Sequence, residues 1–593
     1  MSLFSELKNR KVFTTAAIYV PAAWLIAEIL IFLADRLGAR QWVGDVIAVL
    51  FILGFPVTLL LSWLFDFTKD GVKRTSPGTP LGITVLTVSG LFLSTGAYIS
   101  YQLFSGRLSE ISVAILPLKT NVAVPAAQPY GFGIADSLRS SLQQIPVFRV
   151  PARISSEAAV KAELDIPGIA SQLDVQYIVE GTLEMVGGTL NVSLSLIGDG
   201  GDVRWSERFQ RTTREIFNLQ NDLVRAVALE LGLDESNDHL QRTIRKPAPT
   251  QDMEAHRLFL QGKYGALEPG VSQVESGGMA ALKAARQRDP GYAAVYPAIA
   301  FLYAFDCWLL RDRRSPSCEL AVNYATQGLQ IDPDQADALT ILALVHALRY
   351  EYSEAQAAID RLLPLADQAP DAPSLPWAYL HLGRLQPAWD SAREFYRNNP
   401  LNIFAVANLV LWASALKKDD ALAEYYENIM LELSEFSILM GYPATRDHRV
   451  DLATAIQDAR KILPFWGISS PDLADIWVRP VYDPSLRRSA LEKLEALYEH
   501  GDIQPATYWK TLIVLHQTDG AVNMAFDLFD QGLLEPPEFW IDLPGGKEFR
   551  SHPRFMELVE YIGIASYWDD AGWPPFCELR GNEHFCGLDF EVE

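Results

Sequence analysis

The side chains of this 593-residue chain best suited to nucleophilic, redox or metal chemistry are four cysteines and nine histidines. Cys307 and Cys318 lie eleven residues apart, Cys577 and Cys586 nine apart, with some 260 residues between the pairs. Neither pair has a further Cys or His at zinc-ligand spacing. They read as two local disulfides of an oxidising compartment, or as four separate buried thiols. The histidines stand at 239, 256, 346, 381, 448, 500, 516, 552 and 584, with no pair at the helical spacing of metal ligands. A phosphate-binding Gly-x4-Gly-Lys-Ser/Thr loop, His-Glu-x-x-His, Gly-x-Ser-x-Gly and the EF-hand loop are all missing from the sequence. Gly131-Phe132-Gly133 could offer backbone N–H groups to an anion, but without a third glycine it reads as the plain start of a helix. Asp569-Asp570 reads as solvated surface. The expectation is a chain with no catalytic residue, no cofactor and no metal. An envelope hydrolase without a recognisable motif is the catalytic alternative.

The elements that would carry such groups differ along the chain. Three apolar stretches open it, about 12–33, 43–65 and 81–104, each near the ~20 residues a helix needs to cross a bilayer. They predict three transmembrane helices within residues 1–107. Glu28 lies inside the first, as a functional carboxylate or as one bonded to a neighbouring helix. Lys8, Arg10, Lys11, Lys69, Lys73 and Arg74 outnumber Arg36, Arg40 and Arg107 on the opposite side. That bias predicts an inner-membrane protein with a cytoplasmic N-terminus and a periplasmic chain after about 105. Residues 1–107 carry a net +3 and the remainder −26, out of −23 in all. So acidic a remainder excludes non-specific nucleic-acid binding.

Residues 108–235 read as a small α/β domain in the order β-α-β-α-α-β-β-β-α. Ile111–Leu118 is apolar apart from Ser112 and reads as a buried strand. Leu190, Val192, Leu194 and Leu196 alternate with polar residues, as in a half-exposed strand. Gly-Gly and Gly-Asp-Gly-Gly turns join the last three strands. Several segments here resemble bacterial membrane proteins that join a TolB-like (FlgO-like) domain to tetratricopeptide repeats. They are SLFSELKNRKVF, AIYVPAAWLIAE, FDFTKDGVKR (Phe65–Arg74), VAILPL (Val113–Leu118), GIADSLRSSL (Gly133–Leu142), YIVEGTL (Tyr177–Leu183), RWSERF (Arg204–Phe209) and IFNLQNDLVRAV (Ile216–Val227). The resemblance implies a TolB-like domain. It departs after the first strand, where TNVAVPAAQPY replaces a short acidic loop containing Asn.

Residues 250–435 read as tetratricopeptide-type helical repeats and 436–593 as further helices with a C-terminal cap. Ile299-Ala300, Tyr303 and Ala321 fit one repeat, Leu342-Ala343 and Ala355 the next. Asp289-Pro290 and Asp332-Pro333 are 43 residues apart, which implies an insertion near 306–317. The fold expectation is thus three transmembrane helices, a small α/β domain and an all-α array. Stacked helix pairs offer a concave surface to protein segments. Tyr350, Tyr352, Trp377, Trp389, Trp412, Tyr425 and Tyr426 are the candidate partner-binding aromatics. The functional expectation is a non-enzymatic scaffold that binds protein or peptide partners in the cell envelope and touches the lipid bilayer through its spans. The alternative is an envelope signal transducer.

Overall fold

The computed structural model describes residues 65–68, 71–74 and most of 110–592; the gaps are 121–126, 265–275, 311, 369–373, most of 403–450, 463–471, 535–544 and 582. The chain divides into two compact units, Met1–Glu110 and Ile111–Glu593.

In the first unit, β1 (Phe65–Thr68) and β2 (Gly71–Arg74) pair antiparallel, Phe65 opposite Arg74. The expectation of membrane-spanning helices is corrected here. No described helix is long and apolar enough to cross a membrane. The longest have 16 residues. At 1.5 Å per residue that is roughly 24 Å, short of the ~30 Å hydrocarbon core. Phe65, expected to end the second span, opens a strand: F-D-F-T alternates apolar and polar with the period of a strand. The remaining expected span residues, Glu28 among them, lie outside the described residues. The inner-membrane placement, its sidedness and the bilayer contact rested on apolar runs and their flanks. An apolar run by itself does not distinguish a span from another buried segment.

The second unit begins with a sheet of order β5-β3-β6-β7-β8. β3 (Ile111–Ile115) lies parallel to β5 (Phe148–Arg149) on one side and to β6 (Tyr177–Val186) on the other. The short β4 (Lys119–Thr120) also joins β6. β6, β7 (Thr189–Gly198) and β8 (Val203–Thr212) form an antiparallel meander. Both faces of β3 are covered. Val113 and Ile115 meet α1 (Gln128–Gln143) and α4 (Ile216–Glu230) in one core, where Ile134, Leu138, Leu219 and Leu223 are buried. Ala114 and Leu116 meet α2 (Arg153–Lys161) and α3 (Ile166–Leu173) in another. A strand covered on both faces must be apolar along its length. Between Leu190 and Leu196, β7 buries its even-numbered residues alone; Ile197 and Gly198 at its end are buried as well.

Helix α5 (Asp238–Ile244) leads to four helix pairs: α6 (Met253–Tyr264) with α7 (Gly277–Arg288), α8 (Val295–Leu310) with α9 (Pro316–Ile331), α10 (Ala336–Leu348) with α11 (Tyr352–Leu362), and α12 (Ser374–His381) with α13 (Leu385–Asn398). Small residues at the contacts, such as Ala321, Ala325, Ala343, Ala355 and Ala388, are fully buried and let the helices approach closely. Five more helices follow, interrupted by undescribed segments: α14 (Leu452–Ile462), α15 (Asp472–Tyr482), α16 (Arg487–Glu499), α17 (Pro505–Val514) and α18 (Thr518–Gln531). Then α19 (Gly546–Arg550), α20 (Phe555–Tyr561), α21 (Ile564–Ala571) and the hairpin β9 (Glu578–Arg580)–β10 (Glu583–Phe585) turn back onto α10–α13. Trp568 Nε1 donates to the Leu382 carbonyl at 3.0 Å, and Tyr567 Oη to Gln356 Oε1 at 2.7 Å.

The sheet and the helix pairs share one continuous core. At Gly133 a Cβ would come within 2.7 Å of the Leu260 side chain, so a larger residue there would force Leu260 to shift where α1 meets α6. At the far end, Ala152 N–H donates to the Asn398 carbonyl at 2.7 Å and Leu401 N–H to Ser155 Oγ at 3.2 Å. The sheet region is therefore gripped by the first helix of the array and by the end of α13.

Candidate functional site

A surface cleft of about 810 Å³ opens where the sheet region meets the array. Arg214 and Glu215 lie on the turn that enters α4, and Phe217 and Asn218 in its first helical turn. Ala248 and Gln251–Glu254 form the approach to α6, and Arg288 ends α7. Local chemistry fixes these walls. Glu215 accepts from its own capping residue, Thr212, at 2.8 Å from the hydroxyl and 3.2 Å from the N–H, which lowers its pKa. Asp252 caps α6 by accepting from the N–H groups of Glu254 and Ala255, each at 3.0 Å. Arg288 Nε donates to the same carboxylate at 2.8 Å and is the main reason Asp252 titrates low. Arg257 grips Glu254 with two nitrogens, at 2.9 and 2.7 Å.

Behind Phe217 lies His256, with ring centroids 4.7 Å apart. His256 Nδ1 sits 2.9 Å from Tyr292 Oη. Its Nε2 is buried without a hydrogen-bond partner among the described residues. Burial pushes the imidazole pKa down to about 4, so the ring is neutral at neutral pH. The cleft thus combines half-buried apolar side chains, Phe217 and Met253, with exposed polar ones, Arg214, Asn218 and Gln251. Asp252, Glu254 and Arg288 are committed to ion pairs. The arrangement suits reversible binding.

A second cluster is buried between α1 and α6. Asp136 accepts from Arg139 Nη2 at 2.6 Å, from Lys263 Nζ at 3.2 Å and from the Tyr264 hydroxyl. Burial alone would raise its pKa; Lys263, Arg139 and Tyr264 outweigh it and hold the carboxylate far below its usual range. The adjoining cavity, beside Ile115, Phe132 and Arg153, has room of only about 10 Å³. That is at the limit of ~10–15 Å³ for a single water, so this cluster is a clasp between elements and not a pocket. Gly131 and Gly133 serve the same packing: a Cβ on Gly131 would meet Thr120 Cγ2 at 2.6 Å.

The sequence candidates fall in other places. Cys307 is bonded to Cys318 and Cys577 to Cys586. The first bridge clasps the loop between α8 and α9. From that loop Arg313 donates to the Phe529 carbonyl at 2.6 Å and lies over the Tyr350 and Phe529 rings at 4.6 and 3.9 Å. Tyr350 donates its hydroxyl to the Leu534 carbonyl, and Tyr352 is buried against Tyr567. These two aromatics meet the chain's own C-terminal helices. Trp389 and Tyr426 are buried, Trp377 is half-buried in the core, and Tyr425 is exposed. Trp412 lies outside the described residues. Among the described residues no group of three or more His, Cys, Asp or Glu side chains could hold a metal ion.

The cleft residues were not singled out in the sequence. Asp252 two residues after Thr250, following Pro247 and Pro249, is a legible helix start. That it would face the start of α4 is a tertiary fact.

No family model matches the chain. A protein of Rhizobium meliloti (strain 1021) named "Putative adenylate cyclase 3" is 24% identical to it over 250 residues. The match covers 42% of this chain and 42% of that protein, so the chain spans less than half the length of the relative it matches.

Proposed function

We propose that residues 111–593 bind a segment of a protein or peptide partner, with the cleft and the adjoining helix pairs as the receiving surface, and that they do so without catalysis. The observation that supports this best is the open cleft of about 810 Å³. Its lining is mostly polar, with Phe217, Ala248 and Met253 as apolar contacts, which suits capture of a polar segment of chain. The acids in its wall are tied to arginines or caps, which leaves hydrogen bonding and apolar contact as its means of recognition. A photo-crosslinking residue at Asn218 of the full chain should give one defined protein adduct in its native cells, weakened by Phe217→Ala. Adducts indistinguishable from those made from the exposed Glu492 of α16 would sink the reading.

A signalling role is the second reading, supported by the partial likeness to a protein named as an adenylate cyclase. Were the chain itself a cyclase, incubation with ATP and Mg²⁺ would yield cyclic AMP. No product is expected, and its formation would overturn the non-catalytic proposal.

A further inference from the structure

β8 is the last strand of its sheet, and eight of its ten residues are exposed; only Trp205 and Phe209 are half-buried. Its pairing with β7 runs unbroken from Thr189 opposite Thr212 to Leu196 opposite Trp205. The Thr213 N–H donates to the Gly188 carbonyl at 2.9 Å, which fixes the parity of the strand. Odd-numbered residues turn their backbone groups to β7. Ser206, Arg208 and Gln210 turn theirs away from the sheet. No proline blunts this edge, and its one register shift lies near its start, where Arg204 is skipped between Trp205 and Val203; from Trp205 to Thr212 neither of these usual devices against strand addition is present.

Charge is uneven along the same strip. Between Val203 and Arg214 there are four arginines, at 204, 208, 211 and 214, and one acid, Glu207, in a chain of net charge −23. Arg204 meets Asp202 at 2.5 Å and Arg211 meets Asp222 at 2.9 Å, all on exposed or half-exposed side chains. Among the described residues Arg208 reaches only the neutral Ser193 Oγ, at 3.3 Å. At physiological ionic strength charges are screened over ~8 Å, so a segment laid on β8 feels these arginines with the acids beside them, Asp202, Glu207 and Asp222, and Arg208 as the cation of the strand not paired to an acid among the described residues. The strip ends at the cleft: Arg214 follows the strand by two residues and lines the opening.

We propose that β8 receives an extended acidic segment of a partner protein as an added strand, whose end passes into the cleft. This rests on the binding role proposed for the cleft. The outward backbone groups supply the ladder, and Arg208 supplies cross-strand pairing to Glu or Asp.

The test uses the full chain and a fluorescent peptide of the length of β8 that alternates Glu with Val and Thr, beside a twin with Lys in place of Glu. Fluorescence anisotropy should show the acidic peptide binding about tenfold tighter or more. Arg208→Pro removes an outward N–H and a charge while sparing the β7 ladder, a change edge strands tolerate. It should weaken the acidic peptide about tenfold. If that variant misfolds by circular dichroism, Arg208→Glu keeps the backbone donor and should weaken the acidic peptide while strengthening its Lys twin. Loss of binding in Arg208→Pro but not in Phe217→Ala supports the edge even if the cleft fails as a site. Loss in Phe217→Ala with Arg208→Pro unaffected overturns strand addition and leaves the cleft standing. Equal binding of the two peptides, no binding, or a β8-paired dimer in sedimentation that Arg208→Pro dissolves also overturns it.

Discussion

His256 shows how a single side chain ties the cleft to the core. Its ring is packed against Phe217 and Phe259, and its Nδ1 is held at Tyr292. Burial lowers its folded pKa to about 4 from an ordinary value near 6.5. The sign of the linkage follows from where the proton is preferred. Below about pH 6.5 the unfolded chain takes up a proton that the folded chain refuses, so stability is full above that pH and falls as pH drops through 4. The whole difference amounts to about 3 kcal/mol. His256→Phe should therefore flatten the loss of stability in urea titrations between roughly pH 7 and pH 5. An unchanged pH slope would show that His256 is not buried neutral. Asp136 illustrates the opposite case, a buried charge kept charged by its partners. Asp136→Asn leaves Arg139 and Lys263 facing each other without their acid. It is expected to cost about 3 kcal/mol, read as a lower urea midpoint at unchanged slope. A cost under about 1 kcal/mol would place the cluster among surface pairs.

At the scale of elements, the loop between α8 and α9 acts as a bracket. Cys307–Cys318 closes it, and three contacts hold its tip to the end of α18. These are Arg313 Nη2 to the Phe529 carbonyl, Arg313 N–H to the Gly532 carbonyl at 3.0 Å, and Arg314 to the Asp530 carbonyl. Replacing both cysteines by serine should cost about 2–3 kcal/mol for a loop of this length. The same variant should raise hydrogen exchange in α18, which the bridge does not touch. Exchange unchanged in α18 would mean that the arginines need no disulfide to hold them. The proline spacing of the sequence drew attention to residues 306–317, of which 306–310 lie in α8. The loop's role as a bracket was not legible there, because Phe529 and Asp530 are more than two hundred positions away and no local pattern points to them.

At the scale of the whole molecule, the sheet and the array do not separate cleanly. Leu260, Lys263 and Tyr264 complete the surface of α1, and Asn398 and Leu401 complete that of α2. A fragment of residues 111–245 would expose Ile134, Leu138 and their neighbours less than it would strand Asp136 and Arg139 without their third partner. It is expected to unfold without a sharp cooperative transition, or to aggregate, in thermal melts followed by circular dichroism. A fragment that melts cooperatively at the temperature of the full chain would show the two parts to be independent. The return of the C-terminal helices has a similar consequence for the array. Tyr350 and Tyr352, candidates for partner contact by composition, are occupied by Phe529 and Tyr567.

The sequence alone determined what periodicity and turn chemistry can specify. The apolar run at Ile111–Ile115 is a strand with both faces covered, and the alternation from Leu190 to Leu196 buries every second residue of β7. The Gly187-Gly188 turn, with φ of +57° and +81°, joins two strands in a conformation that favours glycine. These are properties of neighbours in sequence. Apolar length near the N-terminus misled for the same reason: it reports hydrophobicity, and FDFT became a strand where a helix end was expected. Only the tertiary structure decided which charges are clasps, as at Asp136, and which chain ends occupy the array. It alone brought the start of α4, the approach to α6 and the end of α7 around one cleft. Those three segments are joined by packing between distant residues, and packing of that kind leaves no local signature to read.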